Sequence, residues 1–187
     1  MGKLFVISGA SGVGKGTVLG KMTAKRGDLL FSLSATTRAP RPEDIPGVTY
    51  DFVTREKFME MVDEDAFAEY DIHLSACYGT PRAQMEEKQT RGHVLLDIEP
   101  KGAFQVRERY PEVTLIFIKP PSMEELERRL RTRPDTTLTE EKIRERLERA
   151  TWEMAQSGKY DYVVVNDDAD RCADEILKII SDKEHEE

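Results

Sequence analysis

Two cysteines, Cys77 and Cys172, are too few to build a disulfide framework in a chain of 187 residues. No apolar run approaches membrane-spanning length, and Met1-Gly2-Lys3-Leu4 leads straight into the first apolar stretch, so no signal peptide is expected. Basic residues are in the minority: 28 Lys and Arg against 36 Asp and Glu leave a net charge of −8. That balance argues against a general binder of nucleic acid or membrane, so any anion site must be a local basic cluster. Of the three histidines, His73 and His93 lack a metal-ligand spacing, and no zinc site is expected. Internal repeats and low-complexity linkers are missing as well. What remains is a soluble, cytoplasmic α/β protein, one domain long with room for small insertions.

The most informative stretch that is present is Gly9-Ala10-Ser11-Gly12-Val13-Gly14-Lys15-Gly16-Thr17. It follows the apolar run Leu4–Ile7 and precedes a segment whose apolar residues Val18, Leu19 and Met22 suit one helix face. Strand, glycine-rich turn and helix start make a nest of backbone N–H groups with a helix dipole behind it, which suits phosphate. Lys15 adds a full charge near the outer phosphates. The spacing fits a P-loop, except that Gly16 follows the lysine and the hydroxyl comes one residue later, at Thr17.

Downstream, the helix is expected to stop near Gly27-Asp28, and Leu29–Ser34 reads as a short strand. Pro40, Pro42 and Pro46 forbid a helix in the next segment, where Arg38 and Arg41 either clamp an anion or belong to a solvated loop. Val48–Val53 reads as a strand, 55–64 as a helix facing inward through Phe58, Met61 and Val62, Phe67–Ile72 as a strand, and Cys77–Pro81 as a turn. Residues 34–81 thus form a small β-rich insertion, and Met85–Arg91 returns the chain to the core. His93–Glu99 is a buried-strand candidate ending in acids, and an Asp at that end, Asp97, is placed to help position Mg²⁺. Further strands are expected at Val113–Ile118 and Tyr160–Asn166. Helices are expected at Gly102–Arg109, after the capping box Ser122–Glu125, from Thr139 with the stripe Ile143, Leu147, Ala150 and Met154, and at the C-terminus. Glutamates interleave with the arginines between 124 and 149, so most of those arginines read as ion-paired surface; Arg131 and Arg133, nearest the loop, are the better functional candidates. Trp152 and Met154 are expected to pack locally.

Several stretches together resemble guanylate kinases, and the resemblance runs over nearly the whole chain. Its most specific pieces are Ser34-Ala35-Thr36-Thr37-Arg38 with Arg41 and Tyr50, then Tyr78-Gly79-Thr80-Pro81-Arg82, and Val164-Val165-Asn166-Asp167-Asp168 near the end. The resemblance implies a P-loop kinase core (1–33, 82–126 and 148–187) with a parallel sheet flanked by helices, a GMP-binding insertion (34–81) and a helical lid (127–147). It implies ATP at residues 9–17, with Asn166 near the base. Ser34, Arg38, Arg41, Tyr50 and Tyr78 would surround the GMP phosphate. Glu69 and Thr80 would read guanine, with Asp97 and Glu99 at the acidic strand end. Lys15, Arg38 and the lid residues Arg131, Arg133 and Arg146 would be catalytic, and Mg²⁺ would be held by Thr17 and Asp97, directly or through water.

The reaction implied is ATP + GMP ⇌ ADP + GDP, with no nucleic-acid or membrane partner. Ala10, Ser75-Ala76-Cys77, Glu99-Pro100-Lys101 and Pro134 depart from the usual pattern; the first three bear on the nucleotide pocket and the last on lid closure. Three other readings compete: a kinase for a different phosphate-bearing acceptor, a non-catalytic scaffold of guanylate-kinase-like form, and a regulatory GTPase. No Asn-Lys-x-Asp base-reading motif supports the last. The retained Gly9, Gly14, Lys15 and lid arginines speak against the scaffold.

Overall fold

The computed structural model describes residues 1–42, 44–72, 75–132 and 139–186. Arg133, Pro134 and His73, all discussed above, lie outside them. The described strands are β1 (Leu4–Gly9), β2 (Leu30–Phe31), β3 (Ala35–Thr36), β4 (Asp51–Phe52), β5 (Phe67–Ile72), β6 (Cys77–Pro81), β7 (Val94–Asp97), β8 (Thr114–Lys119) and β9 (Tyr162–Val165). The described helices are α1 (Lys15–Lys25), α2 (Arg55–Asp63), α3 (Arg82–Arg91), α4 (Pro100–Arg109), α5 (Met123–Arg131), α6 (Glu140–Ala155) and α7 (Ala169–Glu184). One sheet has the strand order β2-β7-β1-β8-β9 and the other β4-β3-β6-β5. The chain forms two compact units, Met1–Val6 with Leu29–Val113 and Ile7–Asp28 with Thr114–Glu187.

In the first unit β2 runs parallel to β7, with Leu30 opposite Val94. The smaller sheet is mixed: β3 is parallel to β4, and β6 is antiparallel to both β3 and β5. Its apolar face closes over Ala35, Phe58, Phe67 and Cys77, with Met61 and Val62 of α2 packed at the side. The Phe58 and Phe67 rings stack with centroids 4.6 Å apart, which fixes α2 on β5. The expected inward face of α2 is therefore the observed one.

Three expectations in this unit are corrected. Residues Cys77–Pro81 are a strand, not a turn. Gly79 and Pro81 look like turn residues, but Gly79 is there for close approach: a Cβ on it would lie 2.9 Å from Phe67 Cδ1 and 3.0 Å from the Glu69 carbonyl oxygen. The strand expected at Val48–Val53 shrinks to Asp51–Phe52, because Ile45 accepts from the N–H groups of Val48 and Thr49 and closes a turn around Gly47, whose φ is 76°. The strand expected at Leu29–Ser34 keeps only Leu30–Phe31 in β2.

In the second unit β8 and β9 pair in parallel from Ile116 opposite Tyr162 to Lys119 opposite Val165. Helix α1 buries Val18, Leu19 and Met22 as expected, and α7 buries Cys172, Ala173, Ile176 and Ile180. Ser122 caps α5 by accepting from the Glu125 N–H at 3.1 Å, and Thr139 caps α6 through the Lys142 N–H. Trp152 is 52% exposed on α6, and its neighbour Glu153 takes the buried position. Cys77 and Cys172 are both buried free thiols.

Candidate functional site

In the second unit, β1 ends at Gly9 and α1 begins at Lys15, so the glycine-rich stretch is the connecting loop. Gly12 and Gly14 have φ of 86° and 93°, a left-handed backbone that side chains disfavour. Space is short too: a Cβ on Gly12 would lie 2.6 Å from Leu130 Cδ2. Among the described residues no side chain caps α1 and no acid occupies its first turn, so the positive end of the helix dipole there favours an anion.

The loop is braced from several directions. The Ala10 N–H donates to the Ile118 carbonyl at 3.2 Å. The Ser11 N–H donates to Glu153 Oε2 at 2.6 Å. Asn166, buried, donates Nδ2 to the Val13 carbonyl at 2.8 Å, and Arg129 Nη1 donates to the Asn166 carbonyl at 2.9 Å. The structure thus places the Asn166 amide on the loop backbone. Arg129 and Glu153 were not singled out in the sequence, where each belongs to a run of alternating charge; only the position of Glu153 beside the Ala150 stripe marks it.

Of the lid arginines, Arg131 is exposed and paired with Glu127 at 2.8 Å and Glu140 at 2.6 Å. Those two carboxylates hold its guanidinium above the ordinary arginine pKa, Glu140 contributing most. Arg146 is half-buried on α6.

The first unit brings together most of the residues expected around an acceptor phosphate. The Arg38 guanidinium lies 5.2 Å from the Tyr50 ring centroid and 5.6 Å from that of Phe52, within cation–π range. Tyr50 and Tyr78 meet edge to face at 6.1 Å. Burial, and then the negative charge of Asp97, raise the Tyr50 phenol, so Asp97 acts electrostatically on this cluster. Asp44, absent from the sequence candidates, takes Arg38 Nη1 at 2.7 Å and Nη2 at 3.2 Å, and the Arg41 backbone N–H at 2.6 Å. Arg38 first and the Arg41 N–H second hold its carboxyl down at about 2. Ser34 is half-buried, and its carbonyl accepts from Asp51.

Glu69 lies on β5 and is 6% exposed. Its Oε1 accepts from Thr80 Oγ1 of β6 at 2.7 Å, joining the two residues expected to read a base. Burial pushes the carboxyl up to about 7; the Thr80 hydrogen bonds oppose that, and the charges of Asp71 and Glu99 add to it. Helix α4 approaches closely: a Cβ on Gly102 would lie 2.4 Å from Glu69 Oε2. Gln105 of α4 clamps the Tyr70 backbone through both its amide atoms, and Lys101 pairs with Asp71. Glu99 is exposed at the N-cap of α4 and Asp97 is exposed at the end of β7.

For a divalent cation, the exposed Thr17 in the first turn of α1 and the exposed Asp97 each present an oxygen of suitable hardness. Among the described residues no three His, Cys, Asp or Glu side chains gather around one point. Thr17, in the second unit, and Asp97, in the first, are each the kind of oxygen donor that Mg²⁺ takes when it arrives with phosphates and keeps much of its water.

The guanylate kinase family model matches residues 1–183. A guanylate kinase of Thermus thermophilus is 49% identical over 181 residues, covering 96% of this chain and 81% of the relative. One from Prochlorococcus marinus is 45% identical over 179 residues, covering 95% and 96%. The crystal structure of guanylate kinase from Anaplasma phagocytophilum superposes with a TM-score of 0.79 at 33% identity, covering 99% of this chain and 87% of that one.

Proposed function

The chain belongs to the guanylate kinase family, and from that premise we propose which residues carry the reaction and how. The activity itself is that of an ATP:GMP phosphotransferase, moving the γ-phosphoryl group of ATP to GMP to give ADP and GDP. The residue assignment rests on one observation above the others: a buried carboxyl, Glu69, already bonded to Thr80. Guanine presents N1–H and N2–H₂ side by side, and one carboxylate accepts from both. Adenine has no such pair, so it would leave the carboxylate buried and unsatisfied, at a cost of about 1–3 kcal/mol or more.

In this proposal the loop N–H groups and Lys15 neutralise charge developing on the β- and γ-phosphates, which is where phosphoryl transfer needs help. Arg38 and Arg41 offset the charge of the acceptor phosphate. That phosphate is already an oxyanion, so the attack needs no strong base. Arg131, Arg133 and Arg146 serve as lid cations that surround the transferring group and exclude water. Thr17 and Asp97 are the metal-side groups. When bound, Mg²⁺ would supply charge neutralisation on the ATP phosphates. The core, insertion and lid boundaries set out from the sequence are part of the same proposal. So are ATP and GMP as small-molecule partners, without nucleic acid or membrane, and a cytoplasmic location, the last supported by the buried free thiols Cys77 and Cys172. Among the described residues no helix is long and apolar enough to cross a membrane.

A coupled ADP-release assay with GMP, AMP, CMP and UMP as acceptors tests the assignment. Turnover is expected with GMP far above the others. Glu69→Gln is expected to raise KM for GMP by about 10- to 100-fold, the worth of a charge-assisted hydrogen bond, and to leave KM for ATP nearly unchanged. Equal loss for both substrates would remove Glu69 from guanine recognition.

A further inference from the structure

A carboxylate bonded to a phosphate-binding loop is an unexpected neighbour, since it repels the ligand the loop is built for. Glu153 is such a group. It lies on α6, only 3% exposed, and its Oε2 receives the Ser11 N–H at 2.6 Å. Its Oε1 receives Arg149 Nε at 3.1 Å, one helical turn back. Burying a charge is costly unless it is paired and hydrogen-bonded, and Glu153 meets both conditions. An apolar residue at this position would fill the space without that cost. What it could not do is hold the Ser11 N–H, which follows the Ala10 N–H already fixed to Ile118.

Glu153 also shares its helix with Arg146. The two are seven residues apart, two turns on the same face of α6, about 10 Å along the axis. We propose that Glu153 is a positioning residue for the phosphate loop, tying Ser11 to the helix that carries the lid arginine. ATP binding at the loop and the placement of Arg146 are then set by one connected piece of structure. The bond fixes the entry of the loop, while Asn166 fixes its middle at Val13. This inference rests on the reading of residues 9–17 as the ATP site.

Steady-state kinetics on the full chain, varying ATP at saturating GMP and the reverse, tests it. Glu153→Ala is expected to raise KM for ATP about tenfold and lower kcat about threefold or more, with KM for GMP held within about twofold. Glu153→Gln keeps an oxygen for the Ser11 N–H and is expected to recover most of the ATP affinity. Should the alanine protein not fold, Glu153→Asp takes its place: it keeps the charge beside Arg149 but draws the carboxylate back from Ser11, and it is expected to show the same rise in KM for ATP. A variant that melts earlier yet turns over like the wild type well below its melting temperature overturns the proposal. So does a glutamine variant as impaired as the alanine one. Lys15→Ala run in parallel separates the premise: unchanged kinetics there would remove ATP from the loop, whatever Glu153 does.

Discussion

At Glu69, burial outweighs the hydrogen bond from Thr80, and the carboxyl is pushed up to about 7 from an ordinary 4.5. The sign of the consequence follows from linkage. A carboxyl that holds its proton more tightly when folded stabilises the fold in acid; the contribution is full below 4.5 and is lost as pH rises through about 7. In the proposed guanine-reading role the ionised form is needed, so GMP binding is expected to expel that proton. With a pKa of about 7, the ionised fraction rises about tenfold between pH 6 and pH 8, and KM for GMP is expected to fall by a similar factor. The phosphate of GMP titrates near 6 and contributes to the same profile. Glu69→Gln separates the two effects, since only the carboxyl component vanishes; calorimetry in buffers of different ionisation heat reads the released proton directly. Gly102 packs against the same carboxylate. A methyl there would fall 2.4 Å from Glu69 Oε2, so Gly102→Ala is expected to displace the carboxylate and raise KM for GMP about tenfold or more, with KM for ATP little changed. An alanine variant with unaltered GMP kinetics would show that the carboxylate has room to move.

Elements were legible where a periodic apolar face and a local stop signal agree. Helix α1 carries its buried residues where the spacing placed them, and α5 starts at the Ser122 cap that the capping-box spacing marked. That cap is also testable: Ser122→Ala removes the acceptor for the Glu125 N–H and is expected to cost about 1 kcal/mol, read as a fall of about 2–4 °C in melting temperature. Strand β6 was not legible, because its glycine and proline carry turn signals and the pairing that overrides them comes from β5 and β3, distant in sequence. The same limit applies to the site. The loop was proposed from its spacing, and Glu69 and the Arg38–Tyr50–Tyr78 group from the family resemblance. Asp44, Arg129 and Glu153 were not, because each is one acid or base among many and gains a role only through the partner that folding supplies.

On the scale of the whole molecule, a chain with a net charge of −8 must hold two polyanions. In the proposed assignment it does so with local cationic groups: Arg38 and Arg41 lie in the first unit, and Lys15 and the arginines of α5 and α6 lie in the second. Each unit has its own buried residues, so each can be stabilised by its own ligand. Binding to the native state alone adds RT ln(1 + [L]/Kd), about 2.7 kcal/mol at 100-fold excess over Kd. Local opening reports that gain only where the opening breaks the site. GMP alone is therefore expected to slow amide hydrogen exchange in Leu29–Val113, most strongly in β5 and β6 around Glu69 and Thr80. A non-hydrolysable ATP analogue alone is expected to slow exchange at residues 7–28 and in the segment of Asn166 that braces Val13. Mass spectrometry of peptic fragments distinguishes the two patterns. Protection by GMP confined to the phosphate loop, or by the ATP analogue confined to β5 and β6, would reverse the assignment of substrates to units.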